Sequence, residues 1–86
     1  MIYHAGDIAI ATRHPSEEVV EWNYVMDAYD GEPVIIIADA GSNIYAMPVD
    51  MDFQKYEDAR LYRKRGYCYD RNCITPIQQL DVELIL

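Results

Sequence analysis

Residues 33 to 49 constrain the fold most. Pro33-Val34-Ile35-Ile36-Ile37-Ala38 is the most β-prone run in the chain, and Ile44-Tyr45-Ala46-Met47-Pro48-Val49 is a second one. Between them, Asp39-Ala40-Gly41-Ser42-Asn43 supplies short polar side chains and a glycine, the residues that reverse a chain. Two β-branched runs around such a segment predict an antiparallel hairpin. Pro48 lacks a backbone N–H, so it marks the end of pairing or an exposed edge.

The flanking segments add shorter pieces. Gly6-Asp7 opens a strand, Ile8-Ala9-Ile10-Ala11-Thr12 alternates in bulk as a half-buried strand should, and His14-Pro15 ends it. From Ser16 to Asp30 the period changes. Ser16 stands as a candidate N-cap with Glu17 and Glu18 in the first turn, where negative charge suits the helix dipole. Trp22, Val25, Met26 and Tyr29 share one helical face, and Gly31 and Pro33 stop the run. The expectation is a helix of two to three turns or a long loop with helical character. Residues 50 to 65 read as a charged excursion or a short helix from Phe53 to Arg63, ended by Gly66. Tyr67-Cys68-Tyr69 is a short strand, Asp70-Arg71-Asn72 a tight turn and Cys73 to Ile77 a last core strand. Leu80, Val82, Leu84 and Leu86 alternate with Asp81, Glu83 and an exception, Ile85, so residues 78 to 86 are a terminal strand or tail, available for pairing with a second copy.

Eighty-six residues make one domain, 1 to 86, whose core is only just sufficient and too small for a deep cofactor pocket. Met1 leads into Ile2-Tyr3-His4 without a charged n-region or an apolar h-segment, and no stretch reaches the roughly 20 apolar residues of a membrane span. A cytoplasmic protein without a membrane contact is expected. Cys68 and Cys73 then read as reduced, buried structural thiols. Their C-x4-C spacing, with His4 and His14 far off in sequence, gives no metal site, and no cofactor motif is present.

Charge is sorted along the chain. Residues 1 to 54 carry ten acids against Arg13 alone, a net −9, whereas residues 55 to 71 sum to +3 and the tail adds −2. The net charge of −8 repels free nucleic acid and attracts basic surfaces. Eight tyrosines against one Phe and one Trp is the second departure from average composition. Tyrosine serves both shallow cores and interfaces, because its ring is apolar and its tip polar.

The order of these features carries a resemblance. A Gly6-Asp7 strand, Trp22 and Met26, Gly31, the Val34 to Ile37 strand, Tyr45, then Tyr67, Tyr69 and Ile74 is similar to small SH3-like β-barrels of phage and bacterial accessory proteins. The resemblance covers about residues 3 to 77. It implies a mostly-β fold of about five short antiparallel strands with one or two short helical excursions, and it implies binding without catalysis. The charged insert at 50 to 65 and the C-terminal tail are departures from that pattern. The alternative from pattern alone is an α+β roll, with helices at 17–29 and 53–64 covering one face of a sheet.

No Ser/His/Asp or Cys/His constellation stands out, so the chain is read as non-enzymatic. The expected function is that of an acidic protein-binding module, in the resemblance's setting a phage-encoded modulator or inhibitor of a host protein. Glu17, Glu18, Glu21, Asp27, Asp30 and Glu32, with Tyr24 and Tyr29, are the candidate partner-binding residues; the acids would steer a basic protein surface and the rings would supply affinity. Arg60, Arg63, Lys64, Arg65 and Arg71, interleaved with tyrosines, have the local composition of a nucleic-acid site. The overall negative charge opposes that use. A further alternative is DNA mimicry, in which carboxylates along one face imitate a phosphate backbone.

Overall fold

The computed structural model describes residues 2–13 and 21–77. It contains five strands, β1 (Ile8–Ala11), β2 (Pro33–Asp39), β3 (Asn43–Pro48), β4 (Tyr67–Asp70) and β5 (Ile74–Pro76), one α-helix, α1 (Tyr24–Ala28), and 3-10 helices at Glu57–Tyr62 and Arg71–Cys73. The chain is therefore mostly β, with five short antiparallel strands and short helices, as the sequence pattern predicts. The expected hairpin is β2 with β3, with Val34 opposite Pro48 and Asp39 opposite Ile44; a one-residue bulge at Ile37 adds local twist. Terminal residues 78–86, expected as a strand or tail, lie outside the described residues.

All five strands form one sheet in the order β4-β3-β2-β1-β5. The two edge strands, β4 and β5, follow each other directly in the chain, separated only by the 3-10 helix Arg71–Cys73. A flat five-stranded sheet would put its edges about 19 Å apart, at roughly 4.8 Å per neighbour. Four residue steps along a 3-10 path advance only about 8 Å. The sheet must therefore curl until its edges approach. No ladder joins β4 to β5, so it stays open rather than closing as a barrel.

Register explains what fills the concave side. Ala9 faces Val34, Ala11 faces Ile74, Ile36 and Tyr67 flank Ala46, and Ile44 faces Tyr69. All nine are buried in one continuous cluster. Alanine at 9, 11 and 46 leaves room for large neighbours where the sheet bends. Trp22 fills it, 5 % exposed, with its ring edge-on to Tyr69 at 5.4 Å and 86°.

The helical segment is shorter than a Ser16 start would give. Residues 21–23 are not helical, and Asn23 is the N-cap, its Oδ1 accepting the Met26 N–H at 2.9 Å. Ser16 itself, with Glu17 and Glu18, lies outside the described residues. The periodic residues still serve the core, since Trp22, Val25 and Met26 are buried and Tyr29 packs against them. After α1 the Gly31 N–H donates to the Ala11 carbonyl at 2.7 Å, which returns the chain to the sheet before Pro33. With a five-residue helix and a six-residue 3-10 turn, the two helices of the α+β roll are absent from the described residues. In the 50 to 65 segment Ala59 is fully buried, Phe53 and Tyr56 pack against the core, and Leu61 stands 82 % exposed.

A polar clamp holds the hairpin tip. Asp39 accepts from the Tyr3 and Gly41 backbone N–H groups, each at 2.9 Å, and from the Arg71 guanidinium, which also donates to the Gly41 carbonyl and lies 5.7 Å from the Tyr3 ring centroid. The Arg71 bond and the two backbone bonds hold the Asp39 carboxyl well below the usual carboxylate range.

Gly66 joins the 3-10 segment to β4 at φ +82°, and a Cβ there would sit 2.8 Å from the Ala46 nitrogen and 2.9 Å from the Ile37 Cδ1. Gly66→Ala is expected to cost at least about 2 kcal/mol in urea unfolding. Gly41→Ala, which meets open space, should cost only about 1 kcal/mol of left-handed strain. For the clamp, the folded-state carboxyl binds its proton more weakly than the unfolded one. Its stabilisation is present above about pH 4 and lost as pH falls below it. Thermal unfolding between about pH 5 and pH 2 should show that acid slope in the wild type and a flatter profile, with a lower melting temperature at neutral pH, in Asp39→Asn.

Candidate functional site

Tyrosines gather where α1 meets the 50 to 65 segment. The Asn23 cap starts the helix so that Tyr24 points outward at 62 % exposure, while Val25 and Met26 turn inward. The Asp52 carboxylate shapes the next turn by accepting the Gln54 and Lys55 N–H groups at 3.0 and 3.1 Å, and Tyr56 donates its own N–H to the Asp52 carbonyl at 3.0 Å. That turn puts the Tyr56 ring between two others, 6.1 Å from Tyr24 and 5.9 Å from Tyr29.

One carboxylate and two backbone groups tether the trio. The Tyr24 hydroxyl donates to Asp58 Oδ2 at 3.3 Å, and the Tyr29 hydroxyl accepts the Asp52 N–H at 2.9 Å and donates to the Asp50 carbonyl at 3.4 Å. Partial desolvation, then the Asp58 charge, raises the Tyr24 phenol. Beside Tyr29 an open cleft of about 140 Å³ is lined by Ala28, Glu32, Pro33 and Asp50. The faces of these rings already take cations, as Lys55 Nζ stands 5.4 Å from the Tyr56 centroid. Next to the trio, Tyr62 stacks on Tyr67 at 4.7 Å and 24°. The Trp22 indole N–H and the Tyr67 hydroxyl are buried without a hydrogen-bond partner among the described residues.

The candidate residues are only partly brought together. Tyr24 and Tyr29 meet through Tyr56, and Glu32 reaches the cleft. Arg13 draws in Asp27, by a 2.8 Å ion pair, and Asp30, through its backbone N–H at 2.9 Å. Glu21 is exposed just before Trp22, and Glu17 and Glu18 lie outside the described residues. In the basic group Arg60 and Lys64 are exposed, Arg63 lies over Phe53 at 5.2 Å and Arg65 over Tyr45 at 5.5 Å. Arg71 is apart from them, in the hairpin clamp with Asp39.

Sequence reading missed Tyr56, Asp50, Asp58 and Tyr67. The 50 to 65 segment has no helical or alternating period, and the Asp52 turn places Tyr56 there, whereas Tyr67, read as part of a short strand, lies in β4 opposite Ala46. Among the described residues no group of three or more metal-ligating side chains occurs, and no helix is long and apolar enough to cross a membrane. Among the described residues no disulfide is formed; Cys73 is buried and Cys68 half-buried. Comparison with family models, curated proteins and solved structures gives no match to this chain.

Burial, then the neighbouring Tyr62, Tyr24, Asp58 and Tyr29, pushes the Tyr67 phenol up to about 12. Burial likewise raises Tyr69 well above the ordinary phenol range. In alkali the unfolded chain therefore loses these protons first, so stability falls as pH rises from about 10. Urea unfolding across that range should show the loss, and Tyr67→Phe should reduce its slope.

Proposed function

We propose that the chain is a non-enzymatic binding module of the SH3-like barrel class, and that its Tyr24-Tyr56-Tyr29 surface takes a basic segment of another protein. One observation carries the reading: three tyrosine rings in contact through Tyr56, one of them 62 % exposed, are bordered by Glu32 and Asp50 at the cleft and by Asp58 at the Tyr24 hydroxyl. Rings give a partner contact area at little entropic cost, and their faces attract cations. The carboxylates and the net charge of −8 favour approach by a basic surface in a salt-dependent way. The curled sheet supports the barrel class, because consecutive edge strands joined by a 3-10 turn are what a small open barrel needs. Reduced Cys68 and Cys73 suit action in the cytoplasm.

The carboxylates speak against DNA mimicry. Asp7, Asp39 and Asp52 are engaged in turns, and Asp27 is paired with Arg13, so these four do not form a free row. Stacking of Arg63 and Arg65 on rings likewise gives the basic segment a packing role beside any nucleic-acid one.

The test is titration of ¹⁵N-labelled protein with a short arginine–glycine peptide and with a glutamate–glycine control. Only the basic peptide should bind, more weakly as salt rises, with shifts centred on residues 24 to 32 and 50 to 58. Tyr24→Ala should weaken it roughly tenfold. Equal affinity in Tyr24→Ala and in a Glu32→Gln/Asp50→Asn variant would remove this surface from the function.

A further inference from the structure

Tyr67 is 2 % exposed, yet among the described residues its hydroxyl has no hydrogen-bond partner. Native interiors leave few polar groups in that state. Phenylalanine would fill the same space without a stranded hydroxyl, so packing alone does not explain the tyrosine. The residue that covers its ring is Tyr62, stacked on it at 4.7 Å and itself 37 % exposed, between Leu61 at 82 % and the exposed turn 63–65. Tyr62 closes a six-residue 3-10 helix that has no side-chain cap. Such turns have poorer hydrogen-bond geometry than α-helix, and segments with few buried contacts open most readily.

Around the hydroxyl stand the neutral rings of Tyr62, Tyr24 and Tyr29 and one carboxylate, that of Asp58, which disfavours further negative charge there. A buried oxygen with free lone pairs, aromatic walls and a nearby carboxylate suits a cationic donor. Guanidinium fits better than ammonium, because its plate stacks on a ring while its N–H groups reach two acceptors at once.

We propose that the Tyr67 hydroxyl is the floor of a subsite for an arginine side chain of the basic segment, with Tyr62 as its movable wall and Asp58 as its counter-charge. This deepens the function proposed above and rests on it. The guanidinium stacks against the rings, donates one hydrogen bond to the Tyr67 oxygen and pairs with the Asp58 carboxylate.

The experiment measures melting temperature and peptide affinity for wild type, Tyr67→Phe and Tyr24→Ala. Its two probes are the arginine–glycine peptide and the same peptide with citrulline for arginine. Tyr67→Phe is expected to melt no lower than wild type and to bind the arginine peptide about five- to tenfold more weakly. The citrulline peptide should bind wild type and Tyr67→Phe alike. A Tyr67→Phe protein that binds arginine as tightly as wild type, while Tyr24→Ala does not, overturns the subsite and leaves the surface standing. Wild type that binds no arginine peptide overturns both. As a check independent of any variant, the ¹³Cζ signal of Tyr67 in wild type should shift on adding the arginine peptide, and a stationary signal refutes the subsite.

Discussion

Three residues of 3-10 helix, Arg71–Cys73, carry the chain from one edge of the sheet to the other, and the rest of the structure follows from that short reach. A sheet whose edges must approach has a crowded concave side and an open convex one. The concave side buries alanines 9, 11 and 46 together with Trp22, Tyr67 and Tyr69. The convex side leaves Ile8 and Ile35, a cross-strand pair, partly in water. The same link places Arg71 at the hairpin tip, where its guanidinium meets Asp39 and its N–H donates to the Ser42 carbonyl at 3.0 Å. Curvature and clamp are thus one device, since the residues that force the bend also pin the loop that the bend brings near.

The tyrosines divide between two tasks. Tyr3, Tyr67 and Tyr69 are interior, whereas Tyr24, Tyr29, Tyr56 and Tyr62 line the surface above them. Phenol suits both, because a small core cannot bury every ring completely and the hydroxyl makes a partly wet position tolerable. The result is three groups of touching rings, Trp22 with Tyr69, Tyr62 with Tyr67, and Tyr56 with Tyr24 and Tyr29, that run from core to surface.

Much of the fold was legible because it rests on local signals. The β2–β3 hairpin, the Gly6-Asp7 start of β1, the short β4 and the Gly66 stop all follow from residues adjacent in sequence. The start of α1 was not legible in the same way, since Ser16 and Asn23 are both good caps. Asn23 caps the helix that forms, with Trp22 just ahead of it in the core. The charge pattern misled most, because sorting along the chain is not sorting in space. Arg13, the one base of the acidic half, meets Asp27, and Arg71, counted with the basic segment, meets Asp39 from the other half. Such pairs, 14 and 32 residues apart, have no periodic signature. Tyr24 and Tyr29 were singled out from sequence, but the ring that lies between them, Tyr56, depends on an Asp52 turn that no period announces.

The pairing of β1 with β5 also bears on how the chain is made. Ala9 lies opposite Pro76, so β1 is made well before its partner β5 and waits for it before both its sides are covered. Until then β1 is an edge, with one row of N–H and C=O groups unpaired and its small residues offering little to shield them. A nascent chain of this protein therefore exposes a ready-made template for strand addition that the finished fold removes.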